Sequence, residues 1–161
     1  MAEVSEKQKT QNSGETAHGE NYKAEGINAK NATPDDVKFM EQYKDKLSRT
    51  TLHAKWIHNL QEHEDHPGQT LATRNIDVIK HWAEERGGTP ATVPGTEHDG
   101  HLGVMRIQFP GYGGKSLQPA TWEEWEKTID ARKLVFLFQE EMSNGNKSNF
   151  FMFDSPFRER D

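Results

Sequence analysis

The chain has 161 residues, of which 32% are hydrophobic and 29% charged, so one ordinary domain fits and a single core running the whole length does not. The absence of cysteine excludes disulfides, thiolate catalysis and cysteine-based zinc sites. The formal net charge of −6 is spread evenly, with nine Lys/Arg against twelve Asp/Glu in residues 1–70 and eleven against fourteen in 71–161, which argues against the basic footprint of a nucleic-acid binder.

Residues 1–32 are polar and nearly free of large apolar side chains, so they read as a disordered tail. They hold no apolar stretch of the kind a secretory leader needs, and no run in the chain approaches a membrane span. A soluble, cytoplasmic protein is the expectation. Order is predicted from Thr33, where a capping threonine, Pro34 and two aspartates open a helix. Val37, Met40, Tyr43 and Leu47 form its thin apolar stripe. Leu52, Trp56 and Leu60 are spaced by four and predict a second helix. Residues 61–72 read as a loop, so 33–70 form a helical arm and linker.

The remainder, 71–157, is predicted to be an α+β domain. Asn75 caps a helix with Ile76, Ile79, Trp82 and Ala83 on one side, and Gly87 ends it. A short strand at 91–93, the loop PGTEHDGH and the alternating strand LGVMRIQF follow. FPGYGGKSLQPA is a loop, and Thr121 with Glu124 forms a capping box for a helix bearing Trp122, Trp125 and Ile129. KLVFLFQ is apolar on both faces, as a central strand is, and SNGN predicts a hairpin back through Asn149–Phe153. The predicted fold is a mainly antiparallel four-stranded sheet with two packed helices, ordered α-β-β-α-β-β. One or two helices and the tail precede it.

Several stretches resemble sites. Gly114-Lys115-Ser116 ends like a phosphate-binding loop, but the motif needs glycine where Phe109 stands, and Pro119 interrupts the helix that should follow. The stretch is better read as a strand exit, with Phe109 packed inward and Tyr112 and Lys115 offered to a partner beside Arg106. His98, Asp99 and His101 offer the imidazole and carboxylate donors that suit zinc, nickel or iron. A second histidine group, His58, His63 and His66, stands in the linker. No nucleophile motif occurs.

Residues 71–156 carry a pattern made of WAEERGGTPA, a glycine- and acid-rich loop, FPGYGG, TWEEW and a closing hairpin. It resembles a family of small bacterial proteins of uncharacterised function. The resemblance implies a bacterial source and implies no particular activity. The leading expectation is a non-catalytic, soluble accessory protein that binds a protein partner, in a regulatory or stress-related setting. Two alternatives stand beside it. One is a nucleic-acid-associated protein using sheet aromatics, Arg106 and Lys115. The other is a small metal-dependent enzyme built on the His98 loop.

Overall fold

The computed structural model describes residues 25–111 and 116–157. Eleven elements follow one another: α1 Pro34–Gln42, α2 Arg49–His53, β1 Lys55–Trp56, β2 Leu71–Thr73, α3 Ile76–Glu85, β3 Thr89–Thr92, β4 Met105–Gln108, β5 Gln118–Pro119, α4 Trp122–Arg132, β6 Val135–Phe138 and β7 Phe151–Asp154. The fold is mixed α and β. Among the described residues no helix is long and apolar enough to cross a membrane.

The helix starts follow from short-range chemistry. Thr33 accepts from Asp36 N–H while Asp36 closes the capping box on α1; Thr121 and Glu124 repeat the arrangement on α4. Asn75 accepts from Val78 N–H at the start of α3. At the other end of α3, Gly87 adopts φ +71°, which a side chain would disfavour.

The strands form two sheets instead of one. The central sheet runs β1-β2-β6-β7, with β1 and β2 parallel and the other pairs antiparallel. A smaller antiparallel sheet runs β4-β3-β5. The single sheet predicted from sequence is thus corrected. The strands at 89–92 and 105–108 pair with each other and with Gln118–Pro119, not with β6. The helix read from Leu52, Trp56 and Leu60 is also corrected. It stops at His53, and Trp56 enters the sheet through β1.

Side chains alternate along β6 and supply both faces of the central sheet. Phe136 and Phe138 join Leu71, Ile79, Trp82, Met105, Ile107 and Trp125 in one core beneath α3, α4 and β4. Val135 and Leu137 join Ala72, Trp56, Leu52, Met40 and Ile27 in a second core on the opposite face. The end of the expected tail lies in that second core, where Ile27, Ala29 and Ala32 are buried. Backbone bonds hold it there: Asn28 N–H donates to Leu52 O and Lys30 N–H to Ala54 O, while Trp56 N–H donates to Lys30 O. Three apolar residues at alternate or near-alternate positions are too few to register as a pattern, yet they add to the cover that Met40, Leu52 and Trp56 give this face.

Candidate functional site

The end strands of the two sheets, β4 and β7, face a common cleft of about 620 Å³. Its walls include Met105 and Arg106 from the β4 side and Phe151, Met152 and Phe153 from β7, with Arg132 at the end of α4. Of the residues assigned to binding from sequence, Arg106 therefore lines a cleft. Tyr112 and Lys115 lie outside the described residues.

The hydrogen-bond phase of each strand determines what its edge offers. In an antiparallel pair, residues alternate between bonding inward to the neighbour and presenting their N–H and C=O outward. Gln139 N–H donates to Phe150 O, and Val135 pairs with Asp154. Residues 150, 152 and 154 therefore bond inward, and Phe151 and Phe153 present their backbone groups to the cleft. The same count on β4, anchored by Val93 N–H donating to Val104 O, turns Met105 and Ile107 outward. There the edge is capped by the protein itself: Arg106 Nη1 donates to Met105 O at 3.0 Å and Arg132 Nη1 to Gly103 O at 2.8 Å. A charged side chain folded over an edge is a common guard against further strand pairing. No equivalent guard covers Phe151 and Phe153 among the described residues, and Met152 beside them is 48% exposed. The cleft is thus apolar along one wall and cationic along the other.

The metal-ligand candidates His98, Asp99 and His101 are brought together, with one donor atom from each within 4.8 Å of the others. His98 and His101 exchange backbone bonds of 3.2 and 3.1 Å across a two-residue turn. Asp99 and Gly100 occupy its centre at φ 54° and 80°, the paired positive values of the tight hairpin turn that Asp-Gly favours. The second histidine group is not a ligand set of this kind. His58 sits between Asp36, at 2.5 Å from Nε2, and Glu62, at 2.9 Å from Nδ1, while His63 meets Glu140 at 2.8 Å. His66 bonds only locally, to Pro67 O.

Sequence reasoning missed Arg132 and the β7 edge, because both matter only once α4 and β7 are brought beside β4. It also missed an acidic cluster of Glu64, Glu140 and Glu141. Burial, a shared hydrogen bond with Glu141 and the charges of Glu141 and Glu140 push the Glu64 carboxyl up to about 7. No local pattern marks the pairing of a linker residue with the β6–β7 hairpin. Neither protein-family models, curated proteins nor solved structures match the chain, so its function rests on its own geometry.

Proposed function

We propose that the protein is a non-catalytic binding protein, and that its β4–β7 cleft takes an extended, acidic segment of a protein partner as an added strand on β7. The observation that supports this most is the outward-facing backbone of Phe151 and Phe153 on a cleft whose other wall carries Arg106. Strand addition draws affinity from main-chain bonds and selectivity from alternate side chains. Here the added strand would bond to residues 151 and 153. One side chain would pack on exposed Met152, and a carboxylate would meet the Arg106 guanidinium, which suits bidentate pairing. The net charge of −6 works against an acidic segment in general, and the arginines of the cleft offset it locally.

A cytoplasmic, bacterial accessory role is the setting we assign to this binding, in line with the resemblance of residues 71–156 to small bacterial proteins. The test is selection of peptides from a random displayed library on the full chain. Enriched peptides should carry acidic residues and no helix-forming bias, and should perturb the Phe151 and Phe153 amides in an NMR titration. Arg106→Glu should weaken them about tenfold, as expected for loss and reversal of one charge-assisted contact. Peptides that map elsewhere, or that bind Arg106→Glu unchanged, would overturn the reading.

A further inference from the structure

We infer that the His98–His101 turn is a divalent transition-metal site, with zinc as its best-suited ion, independent of the β4–β7 cleft. The turn geometry does the first part of the work. His98 and His101 are a directly opposed pair, so both side chains leave the same face, and their rings meet edge to face with centroids 4.9 Å apart. Asp99, at the exposed tip, brings its carboxylate into the same space.

The second part is the state of the ligands. His101 Nδ1 lies 2.7 Å from Leu102 O. A carbonyl only accepts, so Nδ1 carries the proton and Nε2 presents its lone pair. Metal-bound histidines are commonly oriented this way, by donating the other ring N–H to a carbonyl. The residue that offers this carbonyl is itself held: Leu102 N–H donates to the buried Thr128 hydroxyl, which donates to Glu124 O within α4.

The third part is room. The turn borders a cavity of about 460 Å³ lined also by Glu97 and Glu124, two further oxygen donors, and by Lys127. A tetrahedral zinc ion with bonds of about 2.0–2.1 Å places its ligand atoms about 3.3 Å apart. The present donor atoms, all within 4.8 Å of one another, are wider than this, so a bound ion would draw the three side chains inward, and Asp99 is exposed and has room to move. Two imidazoles and a carboxylate suit zinc, nickel or copper over calcium and magnesium, which prefer all-oxygen shells.

The experiment uses the full 161-residue chain, free of any affinity tag and stripped with EDTA, titrated with zinc chloride by calorimetry. Saturable one-to-one binding tighter than about 100 μM is expected, and the ring resonances of His98 and His101 should be the ones that move. The His98→Ala/His101→Ala double variant should lose the binding, whereas His58→Ala and His63→Ala should keep it. Asp99→Asn preserves a turn-forming Asn-Gly pair and should weaken binding about tenfold by removing the anionic ligand. Absence of saturable binding, full binding in the double variant, or shifts centred on His58 or His63 would overturn the assignment.

Discussion

His58 has a carboxylate on each ring nitrogen, and only the doubly protonated ring can donate to both. Burial alone would lower its pKa, but the hydrogen bonds and charges of Asp36 and Glu62 together raise it above 6.5. Glu62 answers in the opposite sense: its own burial pushes its pKa up, and the bonds from His58 outweigh that and lower it. The sign for stability follows. Folding holds the His58 proton more tightly than the unfolded chain does, so the contribution is present below pH 6.5 and is lost as pH rises through the folded value. The tie joins the start of α1 to the segment after β1. His58→Ala should cost about 1–2 kcal/mol at pH 6, the range for charge-assisted bonds, and far less at pH 9. Urea unfolding at the two pH values measures this; equal losses at both would contradict it.

Glu64 acts in the same direction by another route. Its folded pKa is raised, to about 7 from an ordinary 4.5, so the folded state binds the extra proton between those values and stability falls as pH climbs through that window. Glu64→Gln keeps the shape and removes the charge. It should raise stability on the order of 1 kcal/mol at pH 8, where the native carboxyl is ionised beside Glu140 and Glu141. At pH 4 the gain should vanish. Urea midpoints across this range test it, and a gain that does not change with pH would remove Glu64 as the cause.

At the scale of elements, one side chain makes several of the bonds that fasten the β6–β7 hairpin to α3, beside those of Trp82 and Lys147. The Arg86 guanidinium donates to Ser148 O, Trp82 O and Glu140 O at 2.5, 2.9 and 2.8 Å, and lies 4.4 Å from the Trp82 ring centre. Its planar fork serves three carbonyls at once, which an ammonium on a flexible stem does not reproduce. Arg86→Ala should destabilise the fold by about 2–4 kcal/mol, since each carbonyl loses a charged donor in a partly buried setting. Arg86→Lys should recover less than half of that. Thermal and urea unfolding of both variants decide the matter; a lysine variant as stable as wild type would show that charge alone suffices.

The same scale explains which elements the sequence discloses. Caps at Thr33, Asn75 and Thr121 are readable because donor and acceptor lie three residues apart. The central strand KLVFLFQ is readable because a strand covered on both faces is apolar throughout. β5 is only Gln118–Pro119, both exposed, and its pairing with Ala91 and Thr92 leaves no mark in its composition. β1 and β2 have only two and three residues, so the parallel pair that helps tie residues 25–70 to the rest is invisible until the chain is folded. Of the candidate sites, the His98 turn is legible because its three ligands lie within four consecutive residues. The cleft is legible only in Arg106, since its other wall comes from β7.

For the whole molecule, those short strands decide how the chain divides. Read from composition, residues 71–157 are a self-sufficient domain with an arm attached. In the fold, the segment 27–57 supplies β1 and covers much of one face of the central sheet, packing Ile27, Met40, Leu52 and Trp56 over Ala72, Val135 and Leu137. Each large side chain buried there is worth about 1.5–3 kcal/mol, whereas a domain's net stability is typically only about 5–15 kcal/mol. Removing residues 1–70 takes away four such side chains. It also takes away the hydroxyl of Thr51 and the N–H of Ser48 that donate to the buried Asp154, leaving that carboxylate without those two donors. The loss is comparable to or larger than the whole stability. A fragment of residues 71–161 should therefore fail to show a cooperative melt and should bind a hydrophobic dye, whereas the full chain should melt cooperatively. Calorimetry on the fragment and the full chain separates the cases. A cooperative melt of 71–161 near that of the full chain would show that the second core adds cover without being needed for folding.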